Sequence, residues 1–470
     1  MSVAKNSKFD HCVIVGASIA GLLAAGAASR SFKRVTVIER DQLEDVAEAR
    51  KGVPQGGQIH ALLPVGLERM QMVFPDLKDR LIKAGARTFD EMADIAVLTS
   101  VGWMVRNEGV EWVACRRPVL ELNVRQCLQE LPNVEIIHKS VGGVVVEGVG
   151  AARAVTGVRL RDGSVIDADL VINSTGRRGK GPDWLAEYDV QPPRESFLNA
   201  WISYTTQFVR FPEGTFKHGV IGLGALPQPG INTRGCAFFP ADNGLHAMTA
   251  IGYMRDCPDR DPAAVIEWLK ESACPLSAEI AAKAEPIGEV LTYMVEGSLL
   301  RHWHEVKNLP DRFLTVGDSA CSMNPVFGQG MSLSASAAML LLEELETATT
   351  LDGLASSVQN KLAPVLQSAF NVVASNDAGF EGAQWSDDYT PMSQEEADHG
   401  LALGVLATQD AKISNALSMA IYSFRPEDLG APEITEACEA WLSGDRVIPP
   451  FDRNVYPSTV ASTKKSAEVA

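Results

Sequence analysis

"VIVGASIAGLLAAGAASRSFKRVTVIERD", residues 13–41, decides how the N-terminal part of this chain folds. Residues 11–15 form a short apolar run of the kind buried on both faces of a parallel sheet. Gly16 permits a tight turn, and Gly21 permits the following helix to lie close to the strand. That helix, rich in Ala and Leu, is expected to run to about Ser31. A second apolar run, Val35 to Ile38, ends in Glu39, roughly twenty residues past Gly16. This is the spacing at which a carboxylate accepts from the ribose 2′-hydroxyl of an adenine dinucleotide and repels a 2′-phosphate, which argues against NADP as the resident nucleotide. Ser18 replaces the middle glycine of G-x-G-x-x-G, and its side chain is small enough for backbone to approach a pyrophosphate. The N–H groups of Ser18, Ile19 and Ala20 then open the helix toward that anion. A turn with purely structural duty is the alternative.

Composition narrows the class. A chain of 470 residues, 46% of them hydrophobic, is long enough for two or three domains and a large core. Its 42 basic and 59 acidic residues give a net charge of −17, and without a Lys/Arg block this argues against a nucleic-acid surface. The eight cysteines include no C-x-x-C pair, which suits reduced cytoplasmic thiols better than disulfides or a zinc site. The apolar stretch Val13–Ala28 is short and glycine-containing, so it reads as strand and helix rather than as a membrane span or secretory signal.

A second constellation lies far downstream, in "RFLTVGDSACSMNPVFGQGMSLSASAAMLL", residues 312–341. A strand ending in Gly317-Asp318 puts a carboxylate at the carboxyl edge of a sheet, where open α/β sheets bind ligands. There it can accept from the ribityl hydroxyls of a flavin. Gly328 and Gly330, with Met331 after them, are expected to leave N–H groups bare at a helix N-terminus. Such donors stabilise negative charge at the pyrimidine edge of a reduced isoalloxazine. The alternative is an Asp318 that caps the S-A-C-S-M-N-P turn without any ligand.

Three further segments complete the pattern: "ARKGVPQGGQIHALLPVGLERM" (49–70), "ACRRPVLELNVRQCL" (114–128) and "ADLVINSTGRRGKGPDWL" (168–185). Together with residues 13–41 and 312–341 they resemble, in order, the p-hydroxybenzoate hydroxylase-type flavoprotein monooxygenases. R-K-G-V-P-Q with a following His looks most like the bacterial branch that includes polyether-type alkene epoxidases. The resemblance implies FAD as cofactor, with Arg40, Arg50, Lys51, Gly52, Arg117, Thr175 and Gly176 joining Gly16, Gly21, Glu39, Gly317 and Asp318 around it. It places Pro325 and His60 at the flavin's reactive face and requires no protein nucleophile or base. It also implies that NADH or NADPH reduces FAD, which captures dioxygen as a hydroperoxide at carbon 4a and passes one oxygen atom to an apolar organic substrate. Alkene epoxidation or aromatic hydroxylation in secondary metabolism would follow.

Two departures bear on this. Thr175-Gly176 stands where the family has Asp-Gly, which loses a carboxylate linked in the family to handling the nicotinamide cofactor, and Cys321 replaces a His. A dehydrogenase or reductase acting on C=C bonds therefore stays open, as does a flavoprotein redox partner or modifier of another protein. Halogenation ranks low, because W-x-W-x-I-P and G-G-G-x-x-G segments are missing.

The expected fold class is α/β: a Rossmann-like FAD domain with a parallel sheet and helices, an antiparallel β-rich substrate domain, and a helical C-terminal region. The FAD domain is expected from residues 1–75, 101–188 and 301–350, with a substrate-domain insertion at 76–100. The strand-like runs "LNAWISYTTQFVRF", "GVIGLGAL", "GCAFFPA" and "LHAMTAIGYM" place the β-rich domain at 189–300. Residues 144–173 read as a hairpin array, 351–455 as helices, and 456–470 as a loose polar tail. His302 and His304 would share one face of a strand, with no third metal ligand in the sequence pattern. Trp103, Trp112, Trp201 and Tyr204 line a pocket or fill core, and Cys321 is inert if buried. The partners expected are an apolar substrate and dioxygen, without nucleic acid, metal or membrane span, in a monomer or homodimer.

Overall fold

A computed structural model describes residues 7–50 and 52–458. The chain opens with β1 (Phe9–Val15), α1 (Ile19–Ala28) and β2 (Phe32–Glu39). Helix α2 (Arg117–Gln129) leads to β3 (Val134–His138). An antiparallel array of strands at 141–147, 154–160 and 165–167 precedes β4 (Leu170–Asn173). The long β5 (Glu195–Arg210), β6 (His246–Gly252) and β7 (Leu291–Arg301) follow. Strand β8 (Phe313–Thr315) then leads into α3 (Gly330–Thr347) and α4 (Leu354–Asp377). Further helices include α5 (Ala411–Tyr422).

The five parallel strands run in the order β8-β4-β1-β2-β3. Cys12, Val13 and Ile14 are wholly buried at the centre, as a strand covered on both faces must be. Helix α1 is built almost entirely of Ala, Gly and Leu. This slimness lets it pack between the sheet and α3, and the helix stops at Ala28, short of the expected Ser31, because the chain must already re-enter the sheet at Phe32.

The second layer is a ten-stranded sheet. Strands β7, β5, β6, Arg234–Pro240 and Gly222–Ala225 are antiparallel neighbours within it. One pair departs from the expected antiparallel rule: Ile95–Thr99 runs parallel to Gly222–Ala225, because it enters the sheet from a distant part of the chain. The turn at residues 100–101 joins Ile95–Thr99 to Gly102–Trp103 in the same sheet, so the boundary expected at residue 100 falls inside a hairpin. One face of this sheet packs toward the parallel sheet, and the other carries its own core with Val265, Trp268, Leu269 and Ile280.

Two local expectations are corrected. The segment around His302 and His304 is a tight turn, Trp303–Glu305, not a strand, because β7 ends at Arg301 and the chain must reverse. Tyr456 and Pro457, at the head of the expected loose tail, are held: the Lys217 N–H donates to the Tyr456 hydroxyl at 2.7 Å, and Arg106 donates to the Pro457 carbonyl at 3.1 Å. The rest of that tail, from residue 459, lies outside the described residues. Among the described residues no helix is long and apolar enough to cross a membrane.

Candidate functional site

The turn after β1 is built as its glycines demand. Gly16 has φ +108°, and a side chain there would meet the Ser174 carbonyl. At Gly21 a Cβ would lie 1.9 Å from the Gly16 carbonyl oxygen, so only glycine lets α1 start this close to the turn. Ser18 is the N-cap of α1 but does not cap it; its hydroxyl accepts from Arg117 Nη2 at 3.1 Å instead. The first turn of α1, with Ile19 and Ala20, therefore presents N–H groups without a side-chain cap, at the positive end of the helix.

Glu39 ends β2 beside this turn, as the spacing required. Its carboxylate accepts from the Ala17 N–H at 2.8 Å and the Asp41 N–H at 3.0 Å. A carboxylate has about four acceptor positions, so capacity remains for a hydroxyl. Arg50 is the part read differently by the structure. Its guanidinium is spent on the Ala17 carbonyl (2.9 Å), Asp41 (3.0 Å) and Glu121 (2.7 Å), with Glu39 at 3.3 Å. These bonds tie the turn to α2 and to the residue two past the end of β2. The Gly52 N–H donates to the same Asp41 at 2.7 Å, while Arg40 projects into solvent and is not gathered in. Lys51 lies outside the described residues. A cleft of about 180 Å³ beside these groups is walled by Gln42, Leu43, Arg50, Arg117 and Arg125.

Arg117 is the charge left with a free donor. It opens α2 and is buried; its Nε makes no hydrogen bond and stands 3.7 Å from Glu121 Oε2 as a loose ion pair. Burial pulls its pKa down, while the Glu121 and Asp318 charges hold the guanidinium protonated. Asp318 supplies the complement. Gly317 adopts φ +62°, and a Cβ there would lie 2.5 Å from the Ala20 Cβ and 3.6 Å from Ser334 Oγ. The turn after β8 is thus pressed between the starts of α1 and α3. Among the described residues no donor hydrogen-bonds the Asp318 carboxylate; burial pushes its pKa up, and the Arg117 and Arg177 charges oppose that. The turn itself is fastened without it, by the Gly176 N–H donating to Ser319 Oγ at 2.8 Å.

Thr175 turns its hydroxyl back to Asn173 Oδ1 at 2.7 Å, so its side chain is occupied locally. Asn324 accepts from the Val326 N–H and so caps the Pro325–Phe327 turn. Gly328 follows with φ +66°, and here the expectation of bare N–H groups is corrected: its N–H donates to the Pro325 carbonyl at 2.9 Å, closing the turn. The free donors belong to Gly330 and Met331, at the start of α3, which has no side-chain cap. A Cβ on Gly330 would point into open space. Buried Gln329 Oε1 and Ser332 Oγ are without partners at the same helix start.

His60 hydrogen-bonds the Gln58 carbonyl through Nδ1 at 3.0 Å. Burial and the Arg117 charge lower its pKa to about 3, so it is a neutral imidazole near Arg117. Cys321 is buried, and its thiol is pushed far up by that burial. Trp112 packs edge-on against Tyr422 and Phe239, Trp103 against Tyr456, and Trp201 under Arg255. The third ligand group missing from the sequence pattern at His302 and His304 is Glu305, which lies within 4.8 Å of both. Arg194 already grips that carboxylate at 2.8 and 2.9 Å.

The comparisons with known proteins bear on the fold. Among solved structures the chain is similar to pqsL, a probable FAD-dependent monooxygenase from Pseudomonas aeruginosa, with 16% identity and a TM-score of 0.57 over 80% of this chain and 97% of that one. It is similar to the flavin-dependent brominase Bmp2, at 14% identity and TM-score 0.57 over 78% and 87%. It is also similar to the tetrameric form of 2-methyl-3-hydroxypyridine-5-carboxylic acid oxygenase, at 15% and TM-score 0.56 over 79% and 91%. The chain has the fold of these flavin enzymes. In sequence, Protein Rv3254 of Mycobacterium tuberculosis is 29% identical over 344 residues, 69% of this chain and 70% of that protein. No protein-family model matches the sequence.

The sequence did not disclose Arg177, whose charge acts on Asp318 and which donates to the Gly297 carbonyl at 2.6 Å. Nor did it disclose Asn324 as the cap of the Pro325 turn, although Asn before Pro is a usable turn signal.

Proposed function

We propose that this chain is an FAD-dependent monooxygenase acting on an apolar organic substrate, by alkene epoxidation or aromatic hydroxylation, with NADH or NADPH as reductant. One observation carries the reading: a half-buried carboxylate without a protein donor (Asp318) feels the charge of a buried guanidinium whose Nε makes no hydrogen bond (Arg117), beside an uncapped helix start. A buried guanidinium donor is rarely left unmatched, and with a half-buried carboxylate near it the set matches a molecule bearing both hydroxyls and an anionic phosphate. FAD is such a molecule.

In this reading the N–H groups of Ser18, Ile19 and Ala20, with Arg117 Nε, hold the pyrophosphate. Asp318 accepts from the ribityl chain and Glu39 from the adenosine ribose. Gly330 and Met331 direct the positive end of α3 at the pyrimidine edge, where it favours the reduced, anionic ring. Bound there, FAD supplies the activation of dioxygen and the oxygen transfer. The protein's own task is to exclude water and position the substrate. Leu63 lies over Gly328, and Trp112, Phe89, Phe239 and Tyr422 form an aromatic wall in the same cluster. His60, neutral beside Arg117, offers a free imidazole nitrogen without adding charge.

The epoxidase branch is favoured within this proposal by the R-K-G-V-P-Q segment alone. One feature favours a second reading, a flavin reductase or dehydrogenase acting on C=C bonds: Thr175 supplies no carboxylate where the family has one. The two differ in their need for dioxygen. Apolar polyketides, terpenoids and phenols, screened for stimulated NAD(P)H oxidation with oxygen uptake and product mass recorded, separate them. A monooxygenase consumes oxygen in step with product, whereas a C=C reductase turns over without it.

A further inference from the structure

Beneath the Pro325–Phe327 turn, four segments far apart in the chain meet in one buried polar network. Tyr204 comes from β5, Tyr253 follows β6, Asn324 caps the turn, and Asp377 ends α4; all four are buried. Asp377 accepts from the Tyr253 hydroxyl at 2.8 Å, from Asn324 Nδ2 at 2.9 and 3.0 Å, and from Asn376 Nδ2 at 3.2 Å. Asn324 Nδ2 also reaches the Tyr253 hydroxyl at 2.8 Å. On its other side Asn324 Oδ1 accepts from the Tyr204 hydroxyl at 3.2 Å and the Val326 N–H at 3.1 Å.

The chemistry of this set is directional. An ionised carboxylate only accepts, so it fixes which end of the Asn324 amide faces it. With Nδ2 turned to Asp377, Oδ1 must turn to Val326, and that orientation caps the turn leading to Gly328 and the free N–H groups of α3. No Lys, Arg or His among the described residues pairs with Asp377; its neighbours Tyr204, Tyr253 and Tyr389 are neutral phenols. Burying a carboxylate on neutral donors alone is costly, and an apolar residue would pack there more cheaply. The cost is repaid if orientation of the loop matters.

We propose that Asp377 is a positioning residue: it locks the Asn324 amide and thereby sets the Pro325–Gly330 loop at the edge of the cofactor. This rests on the FAD reading above. It gives the C-terminal helical region, which carries no recognisable motif, a defined part in the site. Through Tyr204 and Tyr253 it also ties the loop to the sheet expected to carry substrate.

The test is FAD titration into full-length apoprotein, with the absorbance spectrum and reduction potential of the bound flavin recorded. Asp377→Asn replaces one of the two oxygens that accept from Asn324 Nδ2 by a donor and should weaken FAD binding about tenfold, with a shifted flavin spectrum and potential. The exchange Asn324→Asp with Asp377→Asn rebuilds the pair in reverse, since Asp caps as well as Asn, and should restore affinity to within about threefold. A merely structural carboxylate would change the melting temperature while leaving the bound flavin's spectrum and potential unmoved. If wild type binds FAD and Asp377→Asn matches it, or the exchange restores nothing, this proposal falls alone. If folded wild type binds no FAD, the FAD reading falls and takes the proposal with it. Should Asp377→Asn not fold, Tyr253→Phe decides: it should raise the FAD Kd about threefold, and an unchanged Kd overturns the proposal.

Discussion

Replacing Asp318 by Ala separates a cofactor ligand from a turn residue. The structure leaves little for the side chain to do within the protein: among the described residues nothing donates to it, and the turn it occupies is tied by Gly176 and Ser319. Removing it therefore takes away no folded-state hydrogen bond. It also removes a carboxylate whose burial disfavours its charge, while depriving Arg117 and Arg177 of a nearby anion. These effects oppose each other, so the melting temperature of the apoprotein should move little. FAD binding should not be spared. One lost charge-assisted hydrogen bond is worth about 1.5–3 kcal/mol, or roughly tenfold to a hundredfold in Kd. The assay is the flavin-to-protein ratio of the purified variant, followed by FAD titration of the apoprotein and melting with and without FAD. A pale, folded protein whose melting temperature responds weakly to FAD is the expected result. A fully flavinylated variant, or one destabilised equally with and without FAD, would refute the reasoning.

Other substitutions follow from the same geometry. Arg117→Ala should lower FAD occupancy more than Arg50→Ala lowers it directly, because Arg50's donors are spent on Ala17, Asp41 and Glu121; Arg50→Ala should instead lower the apoprotein's melting temperature, checked by calorimetry on both variants. Glu39→Arg should weaken FAD retention and also destabilise the apoprotein, since it unpairs the Ala17 N–H and places two cations together, as titration and melting will show. Burial raises the Asp377 pKa from 3.8 to about 6, so the folded state binds this proton more tightly than the unfolded chain. Stability from this group therefore falls as pH rises from about 4 to about 6 and is flat above, a loss of about 3 kcal/mol that unfolding of wild type against Asp377→Asn across that range should reveal.

Much of the parallel sheet was legible because its signals are local. The run 11–15, Gly16, Gly21 and the run ending at Glu39 each constrain their own few residues, and the structure places β1, α1 and β2 there. The strands around 195–252 were legible for the same reason. What local pattern cannot carry is the choice of partner. Arg50 reads as a cofactor arginine until Asp41 and Glu121 converge on it, and a Gly-rich loop does not say which N–H closes its turn. The Tyr204, Tyr253, Asn324 and Asp377 network joins residues from four separate segments, so nothing in any one of them announces it. The pinned Tyr456 depends likewise on Lys217, far away in the chain.

The central claim is tested most directly on purified full-length protein loaded with FAD, supplied with NADH or NADPH, isotopically heavy dioxygen and the panel of apolar polyketides, terpenoids and phenols. The account predicts that at least one compound stimulates NAD(P)H oxidation and oxygen uptake together and emerges carrying one heavy oxygen atom. A folded protein that takes up no FAD, or one that converts its substrate equally well without dioxygen, would contradict it.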